Sequence, residues 1–211
     1  MRTRQLGEGG VPSYTETTGP WGNFEMRIIL AGLAGAVAMF VWTAIAHMET
    51  PLGRVGFSQM PNEPAVLKTM NESIGPAGAL YMFPWVDPKD PNMMEKFQKL
   101  EAANPSGLLL YHPANHRGGG DMTPLLVKEF VKQLVQALIA AWIVSMVAAS
   151  YLGRVSVVAG IGISAAIATN VSYWNWYGFP ADFTAAAIVI EIVSAIVAGL
   201  AIAAVLPGRT A

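Results

Sequence analysis

Residues 183–206, FTAAAIVIEIVSAIVAGLAIAAVL, decide the class of fold, because Glu191 is the one ionisable side chain in the run. At 1.5 Å of rise per residue, such a stretch crosses a hydrocarbon core of about 30 Å as a single helix. Three other stretches have the same character: Ile28–Ala46 (IILAGLAGAVAMFVWTAIA), Gln133–Gly153 and Val155–Ala181, none of which contains Asp, Glu, Lys, Arg or His. The expected fold is therefore mainly α, a four-helix transmembrane bundle with a small α+β exported cap between spans one and two. The spans are read at 27–47, 124–152, 155–173 and 181–206, the first turns of the second standing in the membrane interface. Residues 1–26 and 207–211 become tails, 48–122 the cap and 174–180 an aromatic exported loop.

Composition agrees. The 211 residues are 53% hydrophobic and 13% charged, where a soluble domain carries about 25% charge. Disorder is excluded by the apolar content. A net charge of -1 leaves no basic excess to neutralise phosphates, so no nucleic-acid partner is expected. With no cysteine, disulfides, thiolate nucleophiles and zinc-thiolate sites are ruled out. Ala44-Ile45-Ala46 has the small-x-small form of a signal-peptidase site, but the apolar run before it is longer than an h-region and a polar stretch precedes that, so span one is read as retained.

Orientation follows from basic residues near the span ends. Arg2, Arg4 and Arg27 flank span one, Arg154 lies in the turn between spans two and three, and Arg209 follows span four. In a four-span chain all five share one side, which the positive-inside rule makes cytoplasmic, with both termini. Residues 48–122 are then periplasmic in a bacterium, since long loops translocate regardless of their charge.

Within the cap, PAGALYMFP (76–84) and PSGLLLYHP (105–113) align without gaps, sharing Pro, Gly, Leu and Pro. Both read as short strands stopped by proline. Each follows a helical pattern, one opened by Asn62-Glu63-Pro64 and running through Ser73, the other opened by Asp90-Pro91 and running through Ala103, with Asp90 as N-cap and Pro91 at the first helical position. The loop resembles two helix-strand units. Two strands are marginal in water, so the cap is expected to lean on the membrane helices or a partner. After it, Gly118–Gly120 reads as a hinge before the helix that Thr123-Pro124 restarts. The run lacks the lysine-hydroxyl ending of a phosphate cradle.

Glu191 falls near the bilayer midplane, where an ionised carboxylate is costly. Thr184, Ala187, Ser194, Ala195 and Ala198 share its helical face, and a small-residue stripe marks close helix packing, so Glu191 is expected to face the bundle interior. Gly160, Ser164 and Ala168 of span three supply the expected matching surface, with Ser164 at the depth of Glu191. Asn170 and Gln136 are further intramembrane polar candidates. One role for Glu191 is a protonatable site in a proton or solute path; the other is a neutral acid hydrogen-bonded across a helix interface.

Trp174, Trp176, Tyr177 and Phe179 connect spans three and four. They are expected to anchor in the headgroup region or to form an aromatic floor beneath the cap on which a ligand stacks. His47, His112 and His116, with the methionines of the loop, invite copper. The methionines sit at core-like helical positions, however, and Pro113 breaks a helical His112/His116 pair. No metal is assigned, and no cofactor is expected.

Phe40-Val41-Trp42, Tyr81-Met82-Phe83-Pro84 and above all Trp174-Asn175-Trp176-Tyr177-Gly178-Phe179-Pro180 resemble a group of small bacterial four-span inner-membrane proteins to which no activity is assigned. The resemblance runs from about residue 27 onward. It implies a bacterial inner membrane and this topology, and carries over no site residue.

No Ser-His-Asp, metal-ligand or nucleotide motif stands at usable spacing. The expected function is a non-catalytic accessory or scaffold subunit, bound to the lipid bilayer and to a protein partner or a second copy of itself. The alternatives are a small proton- or solute-coupled transporter centred on Glu191 and an exported ligand or metal sensor. A lipid enzyme built on Glu49, His112, His116 and Asp121 has no support from spacing.

Overall fold

The computed structural model describes residues 20–116 and 120–207, with side chains from residue 24 onward. The tail of residues 1–19, two of the three hinge glycines and the end of the chain at 208–211 lie outside the described residues, as do Arg2, Arg4 and Arg209.

The chain is mainly helical. Helix α1 spans Pro20–Met48 and is followed by a single 3₁₀ turn at Pro51–Arg54. The cap then places α2 (Glu63–Ile74), β1 (Ala79–Phe83), α3 (Met93–Ala103) and β2 (Gly107–Tyr111) in the expected order. The strands pair antiparallel, Ala79 opposite Tyr111 and Phe83 opposite Gly107. Three long helices close the chain: α4 (Thr123–Ser145), α5 (Tyr151–Tyr177) and α6 (Ala181–Val205).

Three helices, over Phe24–Met48, Tyr151–Tyr177 and Ala181–Val205, are long and apolar enough to cross a membrane, which makes this a multi-pass membrane protein. Helix α4 differs. Lys128, Glu129 and Lys132 occupy its first half, and it stops at Ser145, seven residues before the end expected for span two. At the break the Ser145 hydroxyl donates to the Trp142 carbonyl at 2.6 Å, local bonding of the kind by which serine competes with a helix. Ser150 then caps α5, accepting from the Gly153 N–H at 3.2 Å. Tyr151 and Leu152 thus belong to the next helix. At its other end α5 runs on to Tyr177, so Trp174, Trp176 and Tyr177 are helical and only Gly178–Pro180 is turn. The start of α3 also shifts: Asp90 takes the Asn92 N–H on its carboxylate at 2.9 Å, three residues ahead of the helix, and Asn92 holds the N-cap position instead.

The long helices pack as antiparallel neighbours in the order α4, α1, α6, α5. Thr43 of α1 meets Gln133 of α4 at one end, and Gly35 backs onto Ala137 and Ile202 further along. Trp42 Nε1 donates to the Ile190 carbonyl of α6 at 2.9 Å, and Tyr151 Oη of α5 donates to the Leu200 carbonyl at 3.1 Å. The start of α1, the α4–α5 link and the end of α6 therefore share one end of the bundle, while the cap and the α5–α6 turn share the other.

The core gathers toward the first of these ends. Ala31, Ala36, Ala141, Val144, Val158, Ala198, Ile202 and Leu206 form one buried cluster. Most are small, which lets backbones approach closely where lipid provides no hydrophobic drive between helices.

Candidate functional site

A period of 3.6 residues places Thr184, Glu191, Ala195, Ala198 and Ile202 along one face of α6. All but Glu191 are at most 7% exposed. Glu191 is exposed. Of the stripe expected to be interior, Thr184, Ser194, Ala195 and Ala198 are buried and Ala187 is half-buried, but at its centre the packing opens and leaves the carboxylate uncovered. This corrects the expectation that Glu191 faces the bundle interior.

The reason lies in which faces the neighbouring helices present. Helix α5 meets α6 through Val155, Val158 and Gly162, with Ala166 and Asn170 continuing the same buried face. A Cβ on Gly162 would overlap the Ala195 methyl. The anticipated stripe of Gly160, Ser164 and Ala168 is two residues out of step with that face, or about 200° around the helix. Accordingly Ser164 is exposed, and a side chain at Gly160 would meet nothing within 4 Å. On the other flank, α1 holds α6 through Trp42 and Gly35. The apolar cluster that joins α4 to α5 and α6 lies around Val144, Val158 and Ile202, toward the Leu206 end, so it does not reach Glu191.

The Glu191 side chain takes part in none of the hydrogen bonds or ion pairs among the described residues. Of the described bases of the long helices, Arg27, His47 and Arg154 stand near helix ends, and Lys132, in the middle of α4, is engaged by Glu129 at 2.7 Å.

The other polar candidates do not join it. Asn170 is buried and spends its Nδ2 donor on the Ala166 carbonyl of its own helix at 2.9 Å. Gln136 is exposed. The buried amide of α4 is Gln133, fully enclosed, which donates from Nε2 to Thr43 Oγ1 at 3.0 Å and to Glu129 Oε1 at 2.9 Å. Its Oε1 is buried without a partner among the described residues. Spacing could have revealed Gln133, because it shares the face of Ala137, Ala140 and Val144, all of them buried, and Gln136 does not.

Arg154 was expected in the tight turn between spans two and three. It stands instead in the first turn of α5, 6% exposed, and donates from Nη1 to the Leu206 carbonyl. A cation there complements the C-terminal dipole of α6. Its Nε is also buried without a partner among the described residues.

At the cap end, the aromatic candidates divide. Phe179 stacks on Tyr173 with centroids 5.4 Å apart and continues to Phe183 at 5.5 Å. Phe183 meets Phe57 edge-on at 5.4 Å. This chain of rings ties the cap linker to the bundle, and Phe57 was not anticipated in it. Gly56, at φ +81°, permits the contact, because a Cβ there would overlap Phe183. Trp174 and Trp176 stay exposed, the latter by 78%. Trp176 and Tyr177 also border a cleft of about 280 Å³ whose far wall is the cap.

The histidines regroup as well. His112 and His116 stack, their rings 4.2 Å apart and 11° from parallel. A tight turn brings them together, with the His116 N–H donating to the Pro113 carbonyl at 3.2 Å and Asn115 at φ +59°. Stacking sets their in-plane lone pairs parallel, where joint metal ligation needs them to converge. His47 is in the last turn of α1, and among the described residues no three His, Cys, Asp or Glu side chains group as a metal site.

Compared with protein-family models, with curated proteins and with solved structures, the chain matches none.

Proposed function

We propose that this protein crosses the bacterial inner membrane four times and serves as a non-catalytic accessory or scaffold subunit, gripping a second transmembrane protein through the Glu191 face of α6 and through its exported cap. Helix α4 supports the fourth crossing by lying antiparallel against α1, with its apolar second half beside the apolar first half of α1. Arg27 and Arg154 share the bundle end opposite the cap, so the positive-inside rule favours cytoplasmic termini and a periplasmic segment 48–122. The WNWYGFP motif and its resemblance to bacterial inner-membrane proteins favour that compartment.

One observation carries the reading: a carboxylate with no ion pair among the described residues stands exposed in the middle of a largely buried stripe. In lipid such a group costs about 2.5–3.5 kcal/mol on insertion scales. A partner helix bearing a base or a hydrogen-bond donor at that depth removes the cost and fills the gap between α1 and α5. The test is purification from native membranes in mild detergent, with mass spectrometry of the co-migrating chains. A stoichiometric membrane partner is expected for the wild type and its loss for Glu191→Ala, whose own melting temperature stays near wild type because the side chain touches little. A monomer in both cases, or equal recovery of the partner with the variant, would sink the proposal.

A second reading, a proton- or solute-coupled transporter, draws on the same openness of Glu191. It is the weaker one, because Ser164, Asn170 and Gln136 form no chain of polar groups leading to the carboxylate. Proton flux in liposomes that disappears with Glu191→Gln would favour it over the scaffold.

A further inference from the structure

The cleft between cap and bundle brings together aromatic side chains from three elements. Phe83 closes one side from the end of β1, Phe97 another from α3, and Trp176 and Tyr177 a third from the last turn of α5. Into the same space opens Glu101, four residues after Phe97 and therefore on the same face of α3. Four aromatic rings and one carboxylate share the lining with Met82, Ser106 and the start of β2.

The charge around that carboxylate is unbalanced. Both lysines of α3 are engaged elsewhere, Lys96 with Asp90 and Lys99 with Glu95 at 2.6 Å. Glu101 has no ion pair among the described residues. Aromatic faces carry negative potential and attract cations, most strongly when water is excluded. Beside the Glu101 carboxylate the side-chain oxygens of the lining are the neutral hydroxyls of Ser106 and Tyr177, fewer than the full set of ligands a metal ion asks for. A methylated ammonium is weakly hydrated, needs no hydrogen-bond acceptors, and presents to the rings the apolar surface they can cover. The volume, about 280 Å³, sits at the lower end of ligand pockets, which suits a small head group.

We propose that this cleft binds a quaternary ammonium group, held between Phe83, Phe97, Trp176 and Tyr177 and neutralised by Glu101. The group can come from a free choline-type amine or from the headgroup of a choline lipid, since the cleft adjoins the end of a membrane helix. The site does not depend on the partner assigned above.

The test uses the full chain in a maltoside detergent, with tryptophan fluorescence followed during titration with choline, tetramethylammonium and the neutral choline isostere 3,3-dimethylbutan-1-ol. Saturable binding of both cations is expected, at least about tenfold tighter than the isostere, with about tenfold weakening in Glu101→Gln and in Trp176→Leu. Trp176→Phe should keep most of the affinity, and Trp174→Leu, outside the cleft, should keep all of it, which separates loss of the site from loss of the fold. No saturable binding, equal binding of the isostere, or unchanged affinity in Glu101→Gln would each overturn the assignment. The source is resolved in phosphatidylglycerol nanodiscs with and without phosphatidylcholine. Retention of phosphatidylcholine in native mass spectra, lost in Trp176→Leu, identifies the lipid headgroup; choline binding without such retention identifies the free amine.

Discussion

The bundle and the cap are held together in opposite ways. In the bundle, backbones come close over alanine and glycine, and Ala31, Ala36, Ala141 and Ile202 reach zero exposure. In the cap neither helix buries a single residue. Its one buried side chain among the described residues is Tyr111, whose hydroxyl donates to the Gly75 carbonyl at 3.0 Å. The bundle is thus specified by the absence of side chains at chosen points, and the cap by one ladder of two strands and one anchoring ring. A two-stranded sheet is marginal alone, so the cap depends on its surroundings to a degree that the bundle does not.

The largest effect expected from this contrast comes from filling a bundle contact. Gly162→Leu would drive a side chain into Ala195 and force α5 from α6, a cost of at least about 1–3 kcal/mol for overpacking. Thermal unfolding in detergent should show a clear loss, whereas Gly160→Leu, two residues away and facing open space, should unfold like the wild type. Equal behaviour of the two variants would break the assignment of the packing face.

Tyr111→Ala tests the cap. Loss of a buried aromatic costs about 3–5 kcal/mol, more than so slight a unit can absorb. Limited proteolysis should open residues 63–111 while helical circular dichroism of the bundle persists. A bundle that melts together with the cap would show the two to be one cooperative unit.

Acid should produce the smallest change. The Asp90 carboxyl is held below its ordinary value, first by the hydrogen bond from Lys96 and then by the Asn92 N–H. A group whose pKa is lowered by folding stabilises the fold above its unfolded pKa, about 3.9, and that support fades as pH falls through the lower folded value. Amide exchange at the start of α3 should therefore rise only below about pH 4. In Asp90→Asn it should already be raised at neutral pH and gain no further acid step, and the bundle amides should not respond in either protein.

Much of the architecture was legible in the residues. Uncharged runs announced long helices because a bilayer tolerates little else, and the proline-bounded strands and preceding helices of the cap emerged in order because turn and start signals act over a few residues. The end of α4 was not legible, since neither glycine nor proline marks it. A serine bonding back to its own turn and a second serine capping the next helix stop it without interrupting the apolar composition.

The site was legible only in part. Glu191 was conspicuous from composition alone, and so was the small-residue stripe it belongs to. Which face of α5 would meet that stripe was not, because Gly160-Ser164-Ala168 and Val158-Gly162-Ala166 are equally regular every four residues. The choice between Gln133 and Gln136, and the stacking of His112 on His116 around Pro113, likewise turned on how neighbouring chain segments met.

By itself the sequence determined that this is a helical membrane protein with a soluble-looking insertion, because hydropathy and turn chemistry are local properties. Only the tertiary structure decided that Glu191 stands uncovered within a buried face, that Arg154 caps a helix it never adjoins in sequence, and that Trp176 and Glu101 share a cleft. Those outcomes depend on the rotation of each helix about its axis, which is set by the mutual fit of whole surfaces.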